Sequence, residues 1–440
     1  MRTLKPDLVE ALRNNLGDGS SAFERSIGGP VPVSIRINPS KPGNISGQPV
    51  PWCSHGIYLD ERPKFTLDPR LHSGAYYVQE ASSMVLEQCF RAAGFPNTPM
   101  VALDLCAAPG GKSTHLRSLL PAGSLLVSNE VDRRRASILC ENLWKWGATD
   151  TVITNDVPGR FGALGPTFDV VLVDAPCSGE GLMRKDDFAV EQWSPRLVRD
   201  RAMRQNSIMD AIWPALKPGG VLIYSTCTFE PAENEDQVAR MMDMSGALHI
   251  DVQLDVAWGM VRGRDGTGIR CIPPSVRGEG LFMAVLFKPG DRTGPVHNAP
   301  SPAPPAKDMH DFIDPSVEIR ITEQEGVAHA LGAALGHAAQ RIVSTVRTIA
   351  QGTPMAVRKG NEWAPHAALA LCPSLLHERT PRMDLNNADA LRYLRGETLP
   401  AANASGHVLA VHEGNVLGWL KGAGNRWNNR WPAPWRIRMR

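Results

Sequence analysis

Short apolar runs alternate with stretches of helical spacing between residues 99 and 288. Helical spacing extends over 133–146 and 194–216. Such alternation is typical of a parallel α/β sheet. It predicts a doubly wound, Rossmann-like sheet whose ligand binds at the carboxyl ends of the strands. The apolar runs have the length of buried strands, and they lie at 101–105, 125–127, 168–173, 220–225 and 281–287.

The flanking regions have different patterns. Alternation at Val33–Ile37 predicts a strand in a small α+β region at the N-terminus. The Ala-rich stretch 322–350, with Thr322 and Glu325 at capping-box spacing, predicts a helix, and a Gly- and Trp-containing β-rich module follows it. Six prolines between Pro289 and Pro305 predict a linker. The expected divisions are an N-terminal RNA-binding region, a core, the linker, an intermediate domain and a C-terminal RNA-binding module, at 1–98, 99–288, 289–307, 308–399 and 400–440.

Charge and cysteine content narrow the functional classes. The 47 basic and 45 acidic residues leave a formal net charge of +2, so any nucleic-acid surface must be local. No apolar run reaches 18 residues and the N-terminus lacks the pattern of a signal peptide, so we expect a cytoplasmic protein without membrane contact. The eight cysteines form no CxxC pair and no zinc-like cluster, so we expect free thiols and no metal.

Small residues follow the strand at 101–105. They let the backbone approach a ligand closely, and the N-terminus of the next helix favours a carboxylate or phosphate. The spacing matches neither the dinucleotide nor the P-loop fingerprint, so a simple tight turn stays an alternative. The residues of this segment are Cys106, Ala107, Ala108, Pro109, Gly110, Gly111 and Lys112.

Two acidic residues follow later apolar stretches. Glu130 comes just after the second strand, where a carboxylate can accept hydrogen bonds from both hydroxyls of a ribose. Asp156 occupies the same kind of position after a third apolar stretch and could accept from an adenine amino group. A capping or solvated Glu130 and a turn-forming Asp156 are the alternatives.

Two cysteines end two further strands. Asp174 and Cys177 follow the strand at 168–173, and Cys227 follows the strand at 220–225. A single buried cysteine is usually inert. Two thiols and a carboxylate that converge on the ligand edge of one sheet favour chemistry instead.

These segments occur in a known order. CAAPGGK at 106–112, Glu130, Asp156, DAPCSGEG at 174–181 and STCTF at 225–229 resemble the motifs of the S-adenosylmethionine-dependent RNA cytosine-C5 methyltransferases. The resemblance covers residues 30–288 and includes the flanking motifs SIRIN, QEASSM and GEGLF, at 34–38, 79–84 and 278–282. The C-terminal segments PHAALA, LRYLRG, LGWLK and NNRWP resemble a PUA-like module, and the segments before it, in the bacterial branch that modifies small-subunit ribosomal RNA, at 365–370, 391–396, 417–421 and 428–432.

The resemblance implies a fold and roles for individual residues. It implies a Rossmann-like methyltransferase core with a C-terminal helical plus β-rich PUA-like module. Cys227 would attack C6 of cytosine, because C5 is too weak a nucleophile to take a methyl group unaided. Asp174 would hold the base edge, Cys177 would assist release, and Lys112 would orient Asp174. S-adenosyl-L-methionine would lie against Cys106–Lys112, Glu130, Asp156 and Asp174, and Arg135 is a further candidate contact.

The expected partner is RNA, either small-subunit ribosomal RNA or the assembled subunit, and we expect a monomer. Residues after about 307 are expected to recruit RNA without contributing to the cofactor site. The tail from Asn415 is basic and holds four tryptophans that could stack on bases or form a small core. The alternatives are a transfer RNA or DNA cytosine-C5 methyltransferase, the latter with Cys177 as nucleophile, and a non-catalytic RNA-binding assembly factor.

Overall fold

The computed structural model describes residues 4–43, 45–292 and 313–439. These residues form four sheets of four, ten, four and five strands. Most of the predicted linker at 289–307 lies outside the described residues. Among the described helices, none combines the length and the apolar character needed to cross a membrane.

The N-terminal region combines helices with a small antiparallel sheet. Its strand order is β2-β3-β1-β4, and β1 coincides with the strand predicted from alternation. Ile35 on β1 and Tyr58 on β3 are buried. The elements are α1 Pro6–Leu16, α2 Ser20–Ser26, β1 Val33–Ile37, β2 Gln48–Pro49, β3 Gly56–Leu59, α3 Pro69–Ser73, β4 Tyr76–Val78 and α4 Leu86–Ala92.

The core region builds most of the ten-stranded sheet. Alternate residues of its strands, such as Ala102 and Leu103, belong to two separate apolar clusters, so both faces of the sheet are covered. The elements are β5 Val101–Asp104, α5 Gly111–Leu119, β6 Leu125–Asn129, α6 Arg133–Trp146, β7 Thr151–Thr154, α7 Pro158–Gly162, β8 Phe168–Asp174, α8 Asp187–Gln192, α9 Pro195–Ile212, β9 Leu216–Thr226, α10 Glu235–Ser245, β10 Leu248–Ile250, β11 Val261–Arg262, β12 Ile269–Cys271 and β13 Leu281–Phe287.

The order of the parallel strands places the ligand edge. Strands β9-β8-β5-β6-β7 are parallel neighbours, and β13 joins β9 antiparallel. The chain runs outward from β5 to β7 and then returns to β8 on the other side of β5. A crevice therefore opens between the carboxyl ends of β5 and β8, where such sheets bind ligands. The predicted Rossmann-like core is confirmed.

Local sequence signals set the bounds of α6. Asp132 accepts hydrogen bonds from the backbone N–H groups of Arg134 and Arg135, and thus caps the N-terminus. Gly147 ends the helix in the left-handed conformation at φ 81°. The predicted helix at 133–146 matches these bounds.

The region after residue 312 contains two further sheets. One has the order β14-β15-β17-β18 and the other β19-β21-β22-β23-β20, so the predicted β-rich tail is present. Its elements are β14 Ile319–Gln324, β15 Val327–Gly332, α11 Gly336–Val343, β16 Thr348–Gln351, β17 Thr353–Lys359, β18 Glu362–Pro365, α12 Ala367–Ala370, β19 Arg382–Asp384, α13 Asn387–Arg395, β20 Leu399–Ala404, β21 His407–His412, β22 Asn415–Gly422 and β23 Gly424–Asn429.

The predicted helix over 322–350 is wrong. Thr322 lies in β14, and Glu325 and Gly326 have positive φ values of 50° and 74°. They form a two-residue loop between Gln324 and Val327, which are paired across the two strands. Positive φ at both loop positions suits the twist of a tight hairpin. Only α11 is helical in this stretch.

One strand of the C-terminal region joins the core sheet. β16 pairs antiparallel with β7 and forms an edge of the ten-stranded sheet. Leu335 and Ile342, before and within α11, are buried in the same apolar cluster as β5, β6 and β8. The intermediate region is therefore continuous with the core, which the composition of the chain did not indicate.

Candidate active site

A cavity of about 800 Å³ lies at the carboxyl ends of the parallel strands. It collects the candidate residues of four separate sequence segments at one edge of the sheet. Gly110 and Asp156 are the two candidates that do not line it. The candidates that line it are Cys106, Ala107, Ala108, Pro109, Gly111, Lys112, Glu130, Arg135, Asp174, Cys177 and Cys227.

Two glycines form the turn between β5 and α5. Gly110 has φ 115°, a conformation that side chains disfavour, and a Cβ there would lie 3.3 Å from Leu139 Cδ1. Gly111 lines the cavity and begins α5, so its backbone faces a ligand at the N-terminus of a helix. The turn has the features that close approach of a ligand requires.

Glu130 is buried at the cavity wall, at 2 % exposure. Its Oε1 accepts the backbone N–H of Asp132 at 3.0 Å, and its Oε2 accepts no hydrogen bond from the described residues. Arg135 Nη1 lies 3.1 Å from Oε2 in an ion pair, and Arg135 Nη2 donates to the carbonyl of Ala108 at 2.6 Å. A buried oxygen with remaining acceptor capacity suits the hydroxyl of a ribose.

Asp156 lies beside the cavity. Its Oδ1 accepts the backbone N–H of Val157 at 2.9 Å, and its Oδ2 accepts the backbone N–H of Arg347 at 3.0 Å. Val157, rather than Asp156, lines the cavity. Each carboxylate oxygen of Asp156 thus already accepts one hydrogen bond. An adenine amino group would have to donate to a second lone pair on one of these oxygens.

Asp174 ends β8 between two partners. Lys112 Nζ lies 2.8 Å from Oδ2, and Ser225 Oγ donates to Oδ1 at 2.7 Å. Burial opposes the charge of Lys112, but the charge and hydrogen bond of Asp174 together raise the pKa of Lys112 above its usual value. Lys112 therefore stays protonated beside Asp174.

The two cysteines meet at the cavity. Cys177 Sγ lies 3.2 Å from Cys227 Sγ, and the backbone N–H of Cys227 donates to Cys177 Sγ at 3.3 Å. The contact follows from strand register, because Asp174 on β8 is paired with Ser225 on β9. Cys177, three positions after Asp174, and Cys227, two positions after Ser225, consequently come together.

The hydrogen bond between the thiols distinguishes them. Donation by Cys177 lowers the pKa of Cys227, and the charge of Lys112 adds to this effect, whereas burial and Asp174 oppose it. The same bond, together with burial, raises the pKa of Cys177 well above its ordinary value. Cys227 is thus the thiol that ionises first, and a thiolate is the nucleophilic form.

Two buried carboxylates hold the loops that carry the cysteines. Glu180 accepts hydrogen bonds from Thr228 Oγ1 at 2.8 Å and from the backbone N–H of Phe229 at 2.6 Å. Glu233 accepts from the backbone N–H of Ser178 at 3.0 Å. Burial raises the pKa of Glu233 to about 7. Glu180 belongs to the DAPCSGEG motif and Glu233 lies shortly after STCTF, yet neither was predicted from sequence to have a role.

The N-terminal region and the end of the core complete the cavity wall. Gly181 and Gly280 touch, and a Cβ on Gly181 would lie 2.2 Å from the carbonyl oxygen of Gly280. The Gly181 backbone N–H donates to the carbonyl of Cys227 at 2.8 Å. Buried Arg36 donates to Gln79 Oε1 at 2.8 Å, and Gln79 lines the cavity. The flanking motifs SIRIN, QEASSM and GEGLF therefore support the site.

Sequence reasoning missed two basic residues at the cavity. Lys185 and Arg204 are both exposed and line it. Arg204 lies on α9, which also carries Arg196, Arg199 and Arg201. That concentration of arginines on one helix was the available signal.

A separate trio of metal-ligating types lies outside the cavity. One ligand atom each of Cys53, Glu87 and His115 falls within 4.8 Å of the others, and all three residues are buried. The Glu87 carboxylate already accepts from the backbone and hydroxyl of Ser54 and from Arg91. Burial lowers the pKa of His115 to about 4, so it is neutral at physiological pH. We interpret the trio as a hydrogen-bonded core cluster.

Comparisons with known families cover most of the chain. Residues 96–287 match the family described as 16S rRNA methyltransferase RsmB/F. Residues 4–81 match the N-terminal domain of 16S rRNA methyltransferase RsmF, and residues 380–437 match its PUA domain. The predicted methyltransferase core and PUA-like module are confirmed.

Two solved structures share the core fold. They are NSun6 from Pyrococcus horikoshii, crystallised with SFG, and a methyltransferase homolog protein from the same organism. The first has a TM-score of 0.55 at 19% identity and covers 65% of this chain and 99% of its own. The second has a TM-score of 0.55 at 24% identity and covers 63% and 93%.

Curated relatives match almost the whole length. The ribosomal RNA small subunit methyltransferase F of Shewanella baltica is 29% identical over 437 residues, covering 92% of this chain and 90% of that protein. The protein of the same name from Citrobacter koseri is 31% identical over 444 residues with the same coverage. Together with the family matches and the strand-end site, this shows that the chain belongs to the family of ribosomal RNA small subunit methyltransferase F.

Proposed function

We propose that the chain transfers a methyl group to C5 of a cytosine in small-subunit ribosomal RNA through a covalent bond between Cys227 and C6. Membership of the family makes it a ribosomal RNA methyltransferase that uses S-adenosyl-L-methionine. The cytosine and the covalent step rest on one observation, the 3.2 Å contact between the sulfurs of Cys177 and Cys227 in the cavity that Asp174 also lines.

The cavity has suitable residues for the cofactor. Glu130, with a buried oxygen open to a hydroxyl donor, would hold the ribose, and Gly111 at the start of α5 would face the carboxylate of the methionine part. Arg135 would hold the Glu130 carboxylate in place through their ion pair. When bound, S-adenosylmethionine supplies an electrophilic methyl group on a sulfonium.

Cys227 would begin the chemistry. Its thiolate adds to C6 of the cytosine. The π electrons of the C5–C6 bond shift into a C4–C5 double bond, and the negative charge moves to N3. N3 takes a proton from the Lys112–Asp174 pair, which the structure holds together at 2.8 Å. The ring then carries an electron-rich C5 that can accept the methyl group.

Cys177 would act in the release step. As long as Cys227 is a thiolate, its hydrogen bond keeps the proton on Cys177. Once Cys227 is bonded to C6, its sulfur no longer carries a negative charge. The pKa of Cys177 therefore falls. Cys177 then loses its proton to solvent and, as a thiolate, takes the proton from C5. The C5–C6 double bond re-forms and the Cys227 thiolate leaves, while N3 returns its proton to the Lys112–Asp174 pair.

The RNA would approach over basic residues. Lys185 and Arg204 are exposed at the cavity, where they can neutralise phosphates beside a target base turned into the site. Arg426 is exposed on β23, and Lys421 and Arg430 are partly exposed nearby. Phosphate contacts of this kind orient RNA without reading its sequence.

The two thiols provide the test. Cys227→Ala should give neither methyl transfer nor a covalent adduct with RNA. Cys177→Ala should still attack and methylate but release product poorly, so a protein–RNA adduct should accumulate on denaturing gels. An adduct with Cys227→Ala that is absent with Cys177→Ala would instead favour the Cys177 nucleophile of DNA methyltransferases. If neither variant lost activity, the covalent mechanism would be excluded.

The substrate needs a separate measurement. Purified protein and labelled cofactor should be supplied with unmodified small-subunit RNA, with assembled small subunits and with transfer RNA. Label in 5-methylcytosine of either ribosomal substrate supports the proposal. Label in transfer RNA alone favours the transfer RNA alternative, and absence of label in all three favours a non-catalytic assembly factor.

A further inference from the structure

The geometry points to Arg347, in the C-terminal region, as a positioning residue for the cofactor. We infer that Arg347 fixes two loops, the one after β6 and the one after β7. These loops, and not Arg347 itself, would contact the ribose and the adenine. The inference rests on the proposed placement of the cofactor in the cavity. It assigns a function to a region expected from sequence to serve RNA alone.

Arg347 holds the loop after β7 through its guanidinium group. Its Nε donates to the backbone carbonyl of Asn155 at 2.7 Å, and its Nη2 donates to Asn155 Oδ1 at 2.6 Å. The backbone of Arg347 adds two bonds, because its N–H donates to Asp156 Oδ2 at 3.0 Å and its carbonyl accepts the Asn155 N–H at 2.9 Å. Four hydrogen bonds thus join one C-terminal residue to two consecutive residues of this loop.

Asn155 connects the loop after β7 to the loop after β6 through hydrogen bonds of its side chain. Its side-chain Nδ2 donates to the backbone carbonyl of Glu130 at 2.6 Å and to that of Val131 at 2.9 Å. Glu130 and Val131 both line the cavity. Asn155 is 2 % exposed, so it cannot replace lost partners with water without a rearrangement.

The residues on either side of Arg347 in the chain fix its backbone. It immediately precedes β16, which pairs with β7, and it follows Val346, which is buried in the core cluster. The fork of the guanidinium group suits two acceptors on one residue, whereas a lysine would offer a single ammonium group. Loss of the fork should therefore loosen Asn155, and with it the Glu130 backbone, while β16 stays paired.

Arg347→Ala tests this inference by calorimetry with S-adenosylmethionine and S-adenosylhomocysteine. Cofactor affinity should fall about tenfold, the loss typical of one or two buried hydrogen bonds. The KM for cofactor should rise while kcat at saturating cofactor and RNA affinity hold. Arg347→Lys, which keeps the charge and the stem, should show an intermediate loss.

Two control variants separate this effect from general damage. Arg358→Ala removes an exposed arginine of the same region that pairs with Glu323. Arg341→Ala removes contacts of α11 with Leu164 and Thr167 on the core and leaves every hydrogen bond of the Asn155 side chain intact. Both should keep wild-type cofactor affinity, and Arg341→Ala should lower only the melting temperature.

The outcomes are distinct. Unchanged affinity in Arg347→Ala, or an equal loss in Arg341→Ala, would overturn the inference. If Arg347→Ala does not fold, the affinity of Arg347→Lys decides the question in the same way. Glu130→Ala tests the cofactor placement on which the inference rests. Should that variant also bind cofactor normally, the ribose does not lie on Glu130 and the inference fails, whereas the proposed function is judged by the two cysteine variants.

Discussion

The sulfurs of Cys177 and Cys227 lie 3.2 Å apart, and a hydrogen bond from Cys177 lowers the pKa of Cys227. Removing the donor in Cys177→Ala should raise the pKa of Cys227, because a thiolate loses its stabilising partner. Alkylation of Cys227 by iodoacetamide, followed by peptide mass spectrometry across neutral and alkaline pH, should then shift to higher pH. Cys177→Ser keeps a donor and should shift less. An unmoved profile in both would show that the hydrogen bond from Cys177 does not control the Cys227 thiolate.

Glu130 gives the second prediction at the residue scale. Glu130→Ala removes a buried acceptor from the cavity wall, so cofactor affinity should fall by about 1.5–3 kcal/mol, which is roughly ten- to a hundredfold. Isothermal calorimetry measures the affinity, and thermal unfolding checks that the fold survives. Glu141→Ala is a matched control, because Glu141 pairs with Lys145 on α6 outside the cavity. Equal affinities in both variants would contradict the role of Glu130.

Residues that belong to strand ends were predictable from sequence. Asp174 directly follows an apolar run, Cys177 and Cys227 come within four residues of the end of one, and parallel strands bring their carboxyl ends to one edge. The partners of Asp156 were not predictable. Its contact with Arg347 joins positions 191 residues apart, and no local pattern marks such a pair. Sequence therefore indicated which residues share the site but not which distant residues hold them.

At the scale of elements, the predicted helix over 322–350 was wrong because strand pairing, and not the local sequence pattern, decided the structure. Alanine content and a capping-box spacing favoured a helix, but Glu325 and Gly326 form a hairpin loop between two paired strands. Tertiary pairing outweighed helix propensity, which is worth only tenths of a kcal/mol per residue. The long helices α6 and α9 were predictable because capping residues agree with their apolar spacing.

The exposed face of α9 carries a prediction about RNA. Arg204→Ala should weaken RNA binding and reduce the slope of affinity against salt concentration by about 1, because one phosphate contact is lost. Arg196→Ala is the matched control, since it lies on the same helix, pairs with Asp200 and does not line the cavity. Filter binding over a series of salt concentrations measures both slopes. The same slope in both variants would remove Arg204 from the RNA path.

At the scale of the whole molecule, the C-terminal region packs against the core at several places. Besides β16 and α11, a cluster of aromatic rings joins the last module to α6. Lys145 Nζ lies 5.6 Å from the ring centre of Trp431 and 5.4 Å from that of Trp435. Trp419, Trp431 and Trp435 are buried, so the core alternative holds for these three tail tryptophans, whereas Trp427 is only partly buried.

This packing changes what a truncation should do. A chain that ends at residue 307 would lose Arg347, leave the edge of β7 unpaired and expose the apolar cluster that Leu335 and Ile342 help to fill. Exposed edges and apolar surface promote aggregation. We therefore expect a lower melting temperature, aggregation and at least tenfold weaker cofactor binding, contrary to the expectation from sequence that cofactor binding would stay intact.

A cleaved full-length chain separates loss of the region from loss of its covalent connection. With a protease site placed in the predicted linker at 289–307, cutting leaves both halves present. Because the interface consists of a paired strand, a packed helix and buried tryptophans, the halves should stay associated and keep cofactor affinity after cleavage. Size-exclusion chromatography and calorimetry before and after cutting measure this. Halves that separate while the N-terminal half alone still binds cofactor normally would show that the cofactor site is complete without the C-terminal region.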